Sequence, residues 1–298
     1  LSELDIKLYE EKELMVLDDI YSLSGEVILQ PYTFYCYYFD YETGALLSDV
    51  SRFKITTLKP EKINVEFTAN YTVDTCVVTA DVTPNGGYQG DYYFDMLNGL
   101  VVDDYLANFG DFLKSPSDYA EYWWATAVQE MMFLSADTLS SSAILQEFSC
   151  AGTNSDGSPR SHFEFELLAN HTYYLVAFAM DENALCCSVP YVKEIKTGDV
   201  PMSNNQISPS VSKVTAQTAY ISFETTNDDY YIAGWEKSTD WATFGATDAA
   251  RQDYLLKNRS YEYISGNYSQ NVIGLEPGVE YVLYAFGSRG GKATTEKI

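Results

Sequence analysis

From residue 275 the chain reads LEPGVEYVLYAF, a leucine, a proline two places on, a tyrosine four further, and then an unbroken apolar run. Side chains alternate along an extended strand, so Tyr281, Leu283 and Ala285 share one face and Val282, Tyr284 and Phe286 the other. Neither face is polar, which predicts a strand covered on both sides, because an antiparallel sheet with one wet face alternates apolar with polar. The same pattern returns as LLANHTYYLVAF from residue 167 and as ILQPYTFYCYYF from residue 28. The three copies align without gaps, placing Phe34, Tyr173 and Tyr281 at one equivalent position and Phe39, Phe178 and Phe286 at another.

After each copy come a turn and a further strand pattern, DYETG then SRFKITTLK, MDENA then YVKEIKTG, and SRGGK then TTEKI. Upstream, TCVVTADVTP from residue 75 and TAYISFETT from residue 218 match as early strands, setting Cys76 beside Ala219 and Val78 beside Ile221. The breaks at KPEK and DVPMSNN, with Pro60 and Pro201, read as linkers. This spacing of short strands predicts a mainly β chain of tandem sandwiches. The expected modules are 1–60, the C-terminal part of one, then 61–201 and 202–298.

Between the early strands and the repeated stretch, the second module carries SPSDYAEYWWATAVQEMMFL. Ser115 can cap, Pro116 suits a first helical position and Asp118 stands where a capping acid belongs, so a helical insertion is predicted around 115–135. The third module has TDAARQDYLLKN, a second insertion around 247–258 with Thr247 as its cap, and LSELDIKLYEEKELMVL at the start of the chain is expected to be the same helical element in the first module. Through Trp123, Ala127 and Met131 the longer helix is expected to cover the outer face carrying Tyr174, Val176 and Phe178.

The pattern resembles the fibronectin type III module, whose Leu-x-Pro-x-x-x-Tyr corner Leu275, Pro277 and Tyr281 match literally. In such a tyrosine corner the phenol hydroxyl bonds back to the backbone a few residues upstream. The second copy has Ala169 and Asn170 at the turn, and asparagine tolerates a left-handed backbone. The first has Phe34 in place of the phenol, so that corner either turns to Tyr35 or lacks the bond. In its tandem, acidic, tyrosine-rich form with helical insertions the chain resembles surface lipoproteins of the Bacteroidetes. That resemblance implies immunoglobulin-like sandwiches at an outer-membrane-anchored, extracellular location, and it brings no catalytic residue with it.

Composition narrows the partners. A formal net charge of −25 repels phosphate backbones and anionic lipid, so neither nucleic acid nor a membrane surface is an expected partner. No apolar run nears the ~20 residues that span a bilayer. Five cysteines, Cys36, Cys76, Cys150, Cys186 and Cys187, lack metal-ligand or redox spacing, and Cys36 and Cys76 lie within strand patterns, so buried free thiols are expected. His162 and His171 are the two histidines, and neither stands at metal-ligand spacing. TNSDGSPR, from residue 153, shares Asp-x-Asp-Gly character with the start of a calcium loop but lacks the later ligands and reads as a hairpin turn. No metal or cofactor is expected.

Aromatic residues are the remaining candidates, Trp123 and Trp124 in the helix, Trp235 at a strand end and Trp241, since flat rings beside polar groups stack on sugars or anchor proteins. Trp241, in the polar stretch STDWATFG, and Trp124, beside Trp123 in the helix, are the candidate ligand-binding residues. Packing in the core is the competing role for each, and because Trp123 and Trp124 cannot face one direction on a helix, one of the two is expected in the core. The expected function is a non-catalytic binding or adhesion protein at the cell surface, taking a protein ligand. The alternative is a glycan-binding accessory protein of a polysaccharide-uptake system.

Overall fold

The computed structural model describes residues 5–9, 14–18, 31–40, 43–56, 60–134 and 140–298. The first module is a four-stranded antiparallel meander of β1 (Asp5–Tyr9), β2 (Leu14–Asp18), β3 (Pro31–Tyr38) and β4 (Ser51–Thr56), paired in chain order. The stretch at the start of the chain expected as a helix is therefore a correction. Its strands pair in a register that sets Ile6 opposite Leu17 and Leu8 opposite Met15. A period of two, with polar Asp5 and Lys7 between apolar residues, underlies what was read as helical spacing.

The second module runs β5 (Phe67–Asp74), β6 (Val77–Pro84), β7 (Tyr92–Asn98), α1 (Gly99–Asn108), α2 (Pro116–Leu134), α3 (Ser141–Phe148), β8 (His162–Glu166), β9 (Thr172–Ala179) and β10 (Tyr191–Lys196). The third runs β11 (Ile207–Ser212), β12 (Thr218–Thr225), β13 (Tyr231–Lys237), α4 (Ser238–Trp241), α5 (Asp248–Asn258), β14 (Tyr268–Ile273), β15 (Tyr281–Arg289) and β16 (Lys292–Ala293). Their sheets correspond, β5-β6-β8 with β11-β12-β14 and the β9-β7 pair with β15-β13, while the short β16 matches the Met180–Cys186 bridge that precedes β10. In both, the first, second and fourth strands make one sheet and the third, fifth and sixth the other, with the helices inserted between third and fourth. This is a mainly β, fibronectin type III-like sandwich with short helical insertions, repeated in tandem.

The aligned early strands face inward as their alternation requires, and Cys76, Val78, Ala219 and Ile221 are all buried. The apolar outer faces are covered by helix. In the second module Trp124, Val128 and Met131 pack with Phe178, and Tyr119 and Ala120 with Val176, with Trp123 touching both groups. In the third, Phe244 and Leu255 pack with Ile232 and Phe286, and Trp241 and Tyr284 join them. Helix α2 starts as its sequence dictates. Ser115 Oγ accepts from the Asp118 N–H at 3.2 Å, while the Asp118 carboxylate accepts from the Lys114 N–H at 2.9 Å.

The chain forms two compact units, one of Leu1–Ala69, Val82–His162 and Tyr174–Lys193, the other of Asn70–Asp81, Phe163–Tyr173 and Glu194–Ile298. The division passes through the second module, whose corner belongs to the same unit as the third. Within that unit the Ala169 N–H donates to the Gly290 carbonyl at 2.8 Å, and Lys292 pairs with Asp199 at 2.8 Å. Gly290, at φ 57°, sits so close to this corner that a Cβ there would come within 3.0 Å of the Cys76 Cβ and 3.1 Å of the Ala169 Cβ.

Candidate functional site

The corners repeat in atomic detail. The Tyr173 hydroxyl accepts from the Leu168 N–H at 2.9 Å and the Tyr281 hydroxyl from the Glu276 N–H at 3.1 Å, each five residues back. Asn170 and Gly278 occupy the matching turn position with φ of 59° and 77°. Asparagine and glycine are the two residues that take this left-handed conformation with least strain. Phe34 lies within β3 opposite Phe53. Its side chain falls outside the described residues.

The two tryptophans proposed for ligand binding lie elsewhere. Trp124 is 1% exposed, stacks on Tyr93 with ring centroids 4.3 Å apart, and donates its indole N–H to the Ala184 carbonyl at 2.6 Å. That burial corrects its assignment as a ligand platform, because a ring closed on all sides by the core presents nothing to a solute. The adjacent Trp123 is half-buried. Trp241 is half-buried in α4, where Tyr284 stacks on it at 5.4 Å and the Arg251 guanidinium lies over its ring at 5.4 Å. The ring surface that sugar stacking needs is already engaged by protein.

The other sequence candidates are structural. Thr153 and Pro159 form a β-bridge and Gly157 N–H donates to the Asn154 carbonyl, so the DGS stretch is a hairpin turn. The Ser158 hydroxyl and N–H donate to the Asp156 carboxylate and hold it below the usual range. All five cysteines are free thiols, four of them buried and Cys36 half-buried. Burial pushes the Cys150 and Cys187 thiols up to about 11 and Cys186 to about 12, leaving them protonated and unreactive near neutral pH. In the second module the Tyr93 hydroxyl donates to Asp95 at 2.9 Å, and burial raises both groups.

The surface that stands out is an apolar opening at the corner end of the third module. A cavity of about 330 Å³ lies between its sheets, lined by Val211, Val214, Ile221, Trp235, Leu275 and Leu283 among others. Val214 is 69% exposed and Trp235 37%. Trp235 sits opposite Leu283 on neighbouring strands, in alternation with the buried Tyr231, so its ring points between the sheets and is still reached by solvent. The equivalent β9 residues in the second module, Leu175 and Ala177, are wholly buried. A second cavity of about 530 Å³ adjoins the same strand at Ala285, bordered by Ile207 and by Thr295 to Ile298. Sequence reading singled out the tryptophans but missed this opening.

No family model matches the chain, and neither does any curated protein sequence. Among solved structures it is similar to a two fibronectin type-III domain segment from chicken tenascin at 12% identity, covering 79% of this chain and 94% of that one with a TM-score of 0.21. It is also similar to native alpha-2-macroglobulin from Escherichia coli spanning domains MG0-NIE-MG1, at 10% identity over 74% of this chain and 60% of that one, with a TM-score of 0.18. At those scores neither carries an argument.

Proposed function

We propose that the chain is a non-catalytic binding protein of the cell surface, with successive sandwiches acting as spacers and the open end of the third module as its contact surface for protein. One observation carries this reading, the apolar cavity whose rim leaves Val214 and Trp235 in solvent. Exposed apolar patches of this kind favour protein contacts, whereas sugars select aromatic platforms beside polar groups. The net charge of −25 favours a neutral or basic partner.

The test is quantitative binding of the purified chain to a panel of immobilised extracellular proteins and, in parallel, to a glycan panel. The expected result is saturable protein binding that Val214→Asp weakens at least tenfold with an unchanged melting temperature. Binding confined to glycans would overturn the reading. Protease shaving of intact producing cells checks the location, and a chain protected until lysis would rule out the surface.

Glycan capture keeps one observation in its favour. Phe163 and Phe165 on β8 stack nearly parallel, 5.9 Å apart with an interplanar angle of 21°, and Phe163 is exposed. Loss of oligosaccharide binding in Phe163→Ala with the protein panel silent would transfer the function to that pair.

A further inference from the structure

Five rings that solvent reaches are capped by a cation of the chain itself. Arg52 lies over Tyr35 at 5.5 Å, Arg251 over Trp241 at 5.4 Å, Arg259 over Tyr254 at 6.0 Å, Arg289 over Tyr230 at 5.6 Å and Lys213 over Tyr220 at 5.1 Å. Guanidinium predominates because it is planar and weakly hydrated, so it stacks on a ring at little desolvation cost. The ring cluster of α1 and α2 in the second module is different.

Its rings close into a circuit. Tyr105 and Phe109 stand one helical turn apart on α1, Tyr122 comes from α2 and Phe112 from the turn between them. Successive ring centroids are 5.5 Å apart from Tyr105 to Phe109, 5.8 Å on to Phe112, 6.1 Å to Tyr122 and 6.0 Å back to Tyr105. Phe112 is 36% exposed and the other three are half-buried. Tyr119, buried and 5.1 Å from Tyr105, ties the circuit to the core. Among the described residues no cation lies over any of these rings. Lys114 is the single basic residue from 99 to 134, and its ammonium donates to the Gly110 carbonyl. Exposed Asp104 and Asp111 neighbour Tyr105 and Phe112 along the chain. Burial raises the Tyr122 phenol, and the Tyr105 phenol and Glu130 carboxylate near it add to that rise.

We propose that this circuit receives an arginine side chain from a protein partner, its guanidinium stacking on the rings of α1 and α2 as Arg251 stacks on Trp241. The chain's own caps select arginine, since four of the five are guanidinium groups and one is an ammonium. Charge complementarity points the same way. The acidic residues around the rings, on a chain of net charge −25, draw a basic segment in, while the ring faces discriminate among the cations that arrive. This is a second contact, in a different module from the opening lined by Val214 and Trp235, and it goes beyond the function proposed for that opening.

The probe is a blocked Gly-Arg-Gly tripeptide, with its lysine and citrulline counterparts, titrated into the full chain at about 0.15 M salt, where attraction to net charge alone is largely screened. Expected are a saturable upfield movement of the arginine δ-methylene protons, saturation transfer to them from aromatic protons of the chain, and weaker binding of both counterparts. Phe112→Leu keeps an apolar side chain at an exposed position and removes the ring. It should weaken arginine binding about threefold or more with an unchanged melting temperature, and Tyr105→Leu should weaken it as well. No saturation by tens of millimolar peptide, citrulline bound as tightly as arginine, or arginine binding that survives both substitutions overturns the proposal. Lysine bound as tightly as arginine also overturns it, because the rings would then select charge alone. The titration needs no protein panel, so this site and the contact surface of the third module stand or fall separately.

Discussion

Replacing Tyr173 by phenylalanine keeps the ring and removes one oxygen, so its cost isolates the corner bond. Tyr173 is 4% exposed and its hydroxyl is the acceptor for the Leu168 N–H at 2.9 Å. Without it that N–H loses its partner in a corner already tied by Thr197, and an unmet donor in such a place costs about 1–3 kcal/mol. At the third module the same change strips a 3.1 Å bond between the Glu276 N–H and a tyrosine that is only half-buried, so water can take the place of the hydroxyl and the net loss there is about 0.5–1 kcal/mol. Tyr173→Phe is thus expected to destabilise by about 1 kcal/mol more than Tyr281→Phe. With a urea dependence of about 1–3 kcal/mol per molar, the two midpoints should differ by roughly 0.3–1 M. Urea titration of both variants, followed by circular dichroism and tryptophan fluorescence, measures it. Equal midpoints, or a larger loss in Tyr281→Phe, would refute the argument that burial sets the value of the bond.

Trp124→Ala removes a buried ring and its bond to Ala184 and should cost about 3–5 kcal/mol, seen as a lower urea midpoint and lost near-ultraviolet dichroism. Thr247→Ala deletes the cap on the Ala250 N–H and should cost about 1 kcal/mol in the same assay. A thiol reagent at neutral pH should label Cys36 readily and the four buried cysteines only when denaturant is added, and rapid labelling of Cys186 in the native chain would contradict its burial. Burial pushes Tyr119, Tyr231 and Tyr284 up to about 12, above the ~10 of an unfolded chain. Because the folded value is the higher one, the stability these neutral phenols contribute is full below pH ~10 and drains away as pH climbs toward about 12. Unfolding midpoints that stay flat from pH 9 to 12 would refute it.

Those elements whose local chemistry and tertiary setting agree were legible from the sequence. Asn170 and Gly278 announce the turn, and Ser115, Pro116 and Asp118 announce α2, because cap and turn preferences act over a few residues. Helix α1 escaped notice because Gly99 opens it and Val101 and Val102 follow, all weak helix formers. It is capped by Asn98, whose side chain accepts from the Leu100 N–H at 3.0 Å. Of the two adjacent tryptophans, spacing said that one is core without saying which, and packing on Tyr93 chose Trp124. The opening at the third module was illegible for a different reason. Leu275 and Leu283 are ordinary core residues by pattern, Trp235 stands out only as a ring at a strand end, and a cavity between the two sheets leaves no mark on any one stretch of sequence.

Gly290 has a mechanical consequence. With its carbonyl held by Ala169 and no room for a side chain against Cys76, the turn seats backbone on backbone, and the Lys292 to Asp199 pair latches one side. Residues 199–206 therefore cannot serve as a slack tether. Tension applied across this seam must break the latch and the hydrogen bond before it can draw out any chain, so the joint yields abruptly, as a clasp does.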